Sequence, residues 1–146
     1  MKRSIRMICI IVAVVLVLIV PVSAEEDSTY SSAFFHSYDS YIRLVSGSTI
    51  RIWFDVTSNG TMDEIGVSSI ELEYSSDEVN WFPAKTFLPE DYPQMVLSDS
   101  FYAYDYVTYT GMYDFCYRAY VTFYAKNSRG QGYISDYSET IYIPMP

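Results

Sequence analysis

Few side chains in this chain are suited to covalent or acid–base chemistry, and their distribution is informative. His36 is the only histidine, and Cys9 and Cys116 are the only cysteines, in 146 residues. A thiol nucleophile needs a base within hydrogen-bond reach. His36 lies near the start of the chain and Cys116 on a different strand-like segment, so no Cys–His pair is expected. The many serines come without the Gly-x-Ser-x-Gly elbow that presents a hydrolase nucleophile. A zinc-type site of histidine and cysteine lacks its ligands. Nothing in the chain calls for a cofactor.

Carboxylates are abundant: Glu25-Glu26-Asp27, Asp63-Glu64, Glu71 with Glu73, Asp77-Glu78 and Glu90-Asp91. Hard cations such as calcium take carboxylate oxygens. No loop carries the Asp-x-Asp-x-Asp spacing that marks such a site, so these groups read as solvated surface charge. A glycosidase needs two carboxyls facing each other across a cleft, whereas Glu71 and Glu73 share one face of one strand. The sequence therefore predicts no enzyme and no metal centre. Ser75 to Trp81 is similar to the Asp-box turn of sialidase propellers. It predicts a hairpin in which Asp77 bonds nearby backbone amides and Trp81 or Phe82 packs inward.

The one real excess is tyrosine: sixteen residues, all beyond residue 24. Tyr74, Tyr113 and Tyr117 fall on apolar strand faces and are expected in the core. Trp53, Tyr102, Tyr104, Tyr106, Tyr120 and Tyr124 fall on opposite faces and are the candidate interaction surface, since rings with polar tips stack on sugars or anchor protein partners. The plainer reading is that tyrosine simply suits a half-exposed strand. Two requirements compete at 101–110. If Tyr102, Tyr104 and Tyr106 face outward, Asp105 faces inward, and an unpaired buried carboxylate is costly. On that argument Asp105 turns to water and the three tyrosines become core, leaving Trp53 as the exposed ring.

The elements that must position these rings are strands. Apolar and polar residues alternate with period two in Thr49–Thr57 (Ile50, Ile52, Phe54 and Val56 on one face), in Ser69–Ser75 (Ile70, Leu72, Tyr74) and in Tyr113–Lys126 (Tyr113, Phe115, Tyr117, Ala119, Val121, Phe123, Ala125). Weaker strands are Tyr41–Val45, Asn80–Phe87, Phe101–Thr110 and Ser138–Ile143. Reversals are expected at Ser46-Gly47, Ser58-Asn59-Gly60, Ser76-Asp77-Glu78, Gly111 and Asn127-Ser128-Arg129-Gly130. Leu88–Ser98, with Pro89 and Pro93, reads as an irregular crossover. Seven short strands in about a hundred residues predict an all-β, antiparallel two-sheet sandwich, with a small barrel as the alternative.

Ahead of this domain, Lys2, Arg3 and Arg6 precede a thirteen-residue apolar run, Ile8 to Val20, and then Pro21-Val22-Ser23-Ala24. That is the pattern of a secretory signal; a spanning helix needs about 20 apolar residues. Residues 1–24 are thus expected to be removed after Ala24. Residues 25–36 form a flexible arm, and 37–146 the β domain. Removal leaves six basic against eighteen acidic residues, a net charge of −12 where the whole chain carries −9. Such a charge excludes nucleic acid and anionic membrane surfaces as partners, because both demand positive potential. No membrane contact is expected after cleavage. Only Cys116 survives, either as an inert buried thiol or as a free thiol able to link two chains.

The stretch Tyr117-Arg118-Ala119-Tyr120-Val121-Thr122-Phe123-Tyr124-Ala125-Lys126-Asn127-Ser128-Arg129-Gly130 resembles the last hairpin of fibronectin type III domains. The resemblance implies a fibronectin-III-like or immunoglobulin-like sandwich. As a whole the chain is similar to uncharacterised small exported proteins of Gram-positive, gut-dwelling bacteria. That likeness implies a secreted or cell-surface location and no activity. Two functions are carried forward: a secreted, non-catalytic binding module for a protein or glycan, and a structural protein whose copies join through edge strands or Cys116.

Overall fold

The computed structural model describes residues 33–146; the expected signal, 1–24, and residues 25–32 of the expected arm lie outside it. The chain is all-β, with strands β1 (Phe35–Ser46), β2 (Thr49–Ser75), β3 (Phe82–Phe87), β4 (Val96–Thr110), β5 (Phe115–Asn127), β6 (Gly130–Tyr137) and β7 (Ile141–Ile143). A 3-10 turn at Pro93–Met95 lies in the expected crossover and leads into β4. All pairings are antiparallel, and the seven strands belong to one sheet that is continuous through β2.

Strand β2, 27 residues long, joins two of the predicted strands into one. Its first half lies between β1 and β4. Its second half lies against β5 from Glu64 on, with β4 on its other side as far as Gly66 and β3 from Ile70. The reversal expected at Ser58-Asn59-Gly60 is instead a bend within the strand. There β1 ends its pairing at Phe35 opposite Ser58, and the β2–β4 register slips between Thr57 and Met62. The turn-forming groups tie the bend to the segment before β1 and to β4. Ser58 Oγ donates to the carbonyls of Gly60 at 2.6 Å and Phe101 at 3.0 Å. Asn59 Nδ2 donates to Ala33 O at 3.1 Å, and Asn59 N to Phe34 O at 3.0 Å. Beyond the bend, Gly66 lets the Met95 carbonyl approach so closely that a Cβ could not be accommodated.

The bend curls the sheet over its own apolar face, so both halves feed one core. Ile50, Ile52, Phe54 and Val56 from the first half meet Ile70, Leu72, Val121 and Phe123 from the second, all buried as the alternation predicts. At one end Tyr38 of β1 leans on Phe123, ring centroids 5.2 Å apart. At the other, Tyr109 of β4 lies against the buried ring of Tyr117 at 6.0 Å, and Tyr117 Oη accepts the Met112 amide at 2.8 Å.

Several expectations are corrected. Phe34 and Phe35, assigned to the arm, are buried; Phe34 covers Gly132, where a side chain would collide with it. Tyr113, assigned to the core, is exposed in the turn before β5, and Tyr74 is only half-buried. Strand β6, unrecognised in the sequence, pairs along β5 and closes a hairpin whose Asn127 Oδ1 accepts the Arg129 amide. In the Ser75–Trp81 turn, Asp77 accepts the Val79 and Asn80 amides as expected. These bonds, with that from the Asn80 side chain, hold its carboxyl far below the usual range. Neither Trp81 nor Phe82 packs inward: Phe82 is exposed, and Trp81 lies under the Arg118 guanidinium at 4.2 Å.

Candidate interaction face

The outer side of β1, β2 and β4 carries the candidate site. Inward Ile52 and Phe54 force Trp53 outward, because a strand alternates its side chains. Register then decides its neighbours: Tyr41 lies opposite Trp53 on β1, and Tyr106 opposite it on β4. The Tyr41 and Trp53 rings stack at 5.2 Å with 10° between planes, and Trp53 meets Tyr106 at 5.8 Å. The rings thus stand side by side on the sheet, Tyr41 face to face with Trp53 and Tyr106 tilted by 49° against it. Tyr41 Oη and Tyr104 Oη share a hydrogen bond at 3.0 Å. That bond, with desolvation second, pushes the Tyr41 phenol above its usual range.

Rows above and below the aromatic one are sorted by charge. Asp39 lies opposite Asp55, which lies opposite Tyr104; Arg43 lies opposite Arg51, which lies opposite Thr108. The Arg51 guanidinium sits 4.5 Å from the Tyr106 centroid and 5.9 Å from that of Trp53. Its Nε is sealed from solvent without a hydrogen-bond partner, leaving the ring faces as its acceptors. Arg43 lies 5.3 Å from the Tyr41 centroid. Among the described residues, neither arginine ion-pairs with a carboxylate.

Tyr102, Tyr104 and Tyr106 do point outward, with 50%, 50% and 38% of their surface exposed, while Ala103 and Val107 are buried. The argument from Asp105 fails because β4 is an edge strand, paired only with β2. From that edge Asp105 stays partly exposed, and its Oδ1 accepts the Tyr106 amide at 2.7 Å. Trp53 is half-buried rather than open, flanked by rings on both sides.

Tyr120 and Tyr124 are not part of this face; they belong to the outer side of the second half. Tyr120 is half-buried against Tyr137 at 4.7 Å. Tyr124 is buried, correcting its assignment to an interaction surface: Tyr133 covers its ring at 5.2 Å and its hydroxyl donates to Glu64 at 2.8 Å. Desolvation first, then that bond to a carboxylate, pushes its phenol far above the usual range. Tyr41, Arg43 and Arg51 are the members that sequence reasoning missed. Tyr41 sits where alternation about Ile42 faces it outward, which was a usable signal.

Cys116 alternates with Phe115 and Tyr117 as expected, but it is buried, with its thiol 3.6 Å from Glu78 Oε1. Burial, with Glu78 adding to it, raises the thiol above its usual range. A covered, poorly ionised thiol is a poor linker between chains. His36 is exposed on β1. A cavity of about 400 Å³ lies between the bend of β2 and the β5–β6 turn, where Thr61, Asp63, Asn127 and Arg129 contribute one carboxylate and one guanidinium. Among the described residues no cluster of three or more histidine, cysteine or acidic side chains is placed to hold a metal. No family model matches this chain, and no curated protein matches it either.

Proposed function

We propose that the protein is an exported, non-catalytic binding module, and that it takes its partner on the outer face of β1, β2 and β4. The observation that carries this reading is the Tyr41–Trp53–Tyr106 row with Tyr102 and Tyr104 beside it. Scattered exposed rings are ordinary, but a contiguous patch marks an interaction site. Tyrosine, tryptophan and arginine are the types enriched where proteins bind proteins. A sugar stacks on a ring face, and here the faces are occupied by neighbouring rings and guanidiniums. Ring edges and hydroxyls remain outward, which favours a protein over a glycan as the ligand. The fold proposed for the module is a fibronectin-III-like or immunoglobulin-like sandwich; the β5–β6 hairpin turning at Asn127–Gly130 and the shared core between the two halves of the sheet support it.

A second reading, assembly of copies through edge strands, is favoured by β4, whose fifteen residues pair on one side only. Such an edge is a template for another strand. Surface-displayed proteins and glycans, probed with the intact protein and with Trp53→Ala/Tyr106→Ala, separate the readings. The binding role predicts that the double variant keeps its circular dichroism and loses the partner. Retained binding moves the site off this face.

A further inference from the structure

The three rows of the outer face have an order that a single chain gains nothing from. Asp39 faces Asp55, and Arg43 faces Arg51, at directly opposed positions. Like charges so placed repel, and alternating them would cost nothing. Sorted into two like-charged rows with the aromatic row between, they form a surface that is its own complement. A two-fold axis running along the Tyr41–Trp53–Tyr106 row carries the arginine row of one copy onto the aspartate row of another. The same axis sets Trp53 of one copy against Trp53 of the other. An axis along the strands would instead set arginine on arginine.

We infer that the partner of this face is a second copy of the same chain, docked face to face about that axis. The inference rests on the binding role proposed above and names its ligand. Isologous pairing of this kind is the commonest symmetry of homo-oligomers. Arg43, Asp39 and Asp55 are exposed, and Arg51 is held in place by Tyr106 and Trp53, so the charges that must meet are accessible and partly preorganised. Three strands about 4.8 Å apart and three rows about 7 Å apart give a patch of roughly 300 Å² per copy. A standard interface buries about 800 Å² per partner, so the dimer is weak and forms reversibly with concentration.

Sedimentation of the intact protein from about 1 μM to about 1 mM, with four variants, tests this. Wild type is expected to pass from monomer to dimer. Arg43→Glu/Arg51→Glu, whose face is all acidic, and Asp39→Arg/Asp55→Arg, whose face is all basic, each weaken self-association at least ~10-fold, since like charges are then juxtaposed. An equimolar mixture of the two associates as a heterodimer, and the chain carrying all four changes regains self-association. Neither recovery can come from variants that fail to fold. Wild type that stays monomeric to about 1 mM, or association unmoved by any of these charges, overturns the inference. The binding role survives that result if Trp53→Ala/Tyr106→Ala still abolishes capture of a displayed partner. It falls as well if the aromatic variant changes neither association nor capture.

Discussion

The two halves of the curled sheet share one core but solve the problem of their outer charges in opposite ways. On the second half, Arg118 meets Glu73 at 2.7 Å and lies between the rings of Trp81 and Tyr137, at 4.2 and 4.3 Å. Farther along the same two strands, Glu64 takes the Tyr124 hydroxyl at 2.8 Å and Lys126 at 3.4 Å, and Thr122 bonds Ser135 at 3.0 Å. On the first half the arginines also lie over rings, but each faces its like across the strand and no carboxylate answers it. Composition alone does not separate the two surfaces, since both carry tyrosine, tryptophan, arginine and acid. What differs is whether opposite charges face each other across neighbouring strands of the same copy. On the second half the face is closed in that Arg118 and Lys126 each meet a carboxylate. On the first, among the described residues, no carboxylate meets Arg43 or Arg51.

The largest perturbation available is to the layer that joins the two faces. Phe54 is fully buried beneath Trp53, within the core both halves line. Phe54→Ala should cost about 3–5 kcal/mol, as deletion of a packed ring does. Because the core is shared, urea unfolding should remain a single transition seen equally by rings of both faces. Two separated transitions would mean that the halves are independent units and that comparing them as one sheet is mistaken.

Next in size is the closed face itself. Arg118→Ala removes the ion pair with Glu73 and the stacking on Trp81 and Tyr137 together. The pair is about a quarter exposed, so its own share is modest, and most of the loss comes from the covered rings. A destabilisation of about 1–2 kcal/mol is expected. An effect within experimental error would show that face to be as loosely organised as its counterpart.

How far this could be read from sequence follows from what period-two alternation encodes. It names which face of a strand is apolar, and so placed Ile52, Phe54, Leu72, Val121 and Phe123 correctly. It is silent on which strand lies beside which. Ser58-Asn59-Gly60 has the chemistry of a reversal, yet its side chains bond the carbonyls of Phe101 and Ala33, and the Asn59 amide that of Phe34, all remote in sequence, and the strand runs on. Strand β6 was invisible because its inward positions include Gly132, whose missing side chain is the space filled by Phe34. Tyr124 was misassigned because the carboxylate that draws in its hydroxyl is sixty residues away. Asp105 misled because edge strands are recognised only after pairing is known. The rows of like charge have the same origin: each residue was plain in the sequence, and only the register made them a pattern.

The closed face should also be sensitive to pH. The Tyr124 hydroxyl and, less, the Lys126 ammonium hold the Glu64 carboxyl below its ordinary value of 4.5. A carboxyl whose folded value is lowered binds protons more readily when unfolded, so its contribution is present above 4.5 and is lost as the pH falls through the folded value. Tyr124 has the opposite sign: its contribution persists below its ordinary value of 10 and disappears in stronger alkali. Asp77 shares the acid limb, since its carboxyl is also lowered. Tyr124→Phe separates Glu64 from Asp77, because it removes the hydroxyl that holds down the Glu64 carboxyl and leaves the Asp77 turn untouched. Unfolding free energies at neutral and acid pH should then fall less steeply in the variant than in wild type, and equal slopes would deny Glu64 its part.

The smallest effect is the most discriminating. Arg43→Gln takes one cation from the arginine row and from over the Tyr41 ring. In a dilute monomer two terms oppose each other. Relief of the repulsion from Arg51 returns a few tenths of a kcal/mol, and loss of an exposed cation–π contact removes about as much. Stability should therefore stay within about 0.5 kcal/mol of wild type, in contrast to Arg118→Ala. Chemical denaturation at low micromolar protein, compared with the same measurement at high concentration, gives both halves of the answer. The dilute values should coincide, and the concentrated ones should diverge as wild type alone gains from association. A loss above about 1 kcal/mol in the dilute sample would mean that Arg43 is already satisfied within its own chain. The first face would then be as closed as the second.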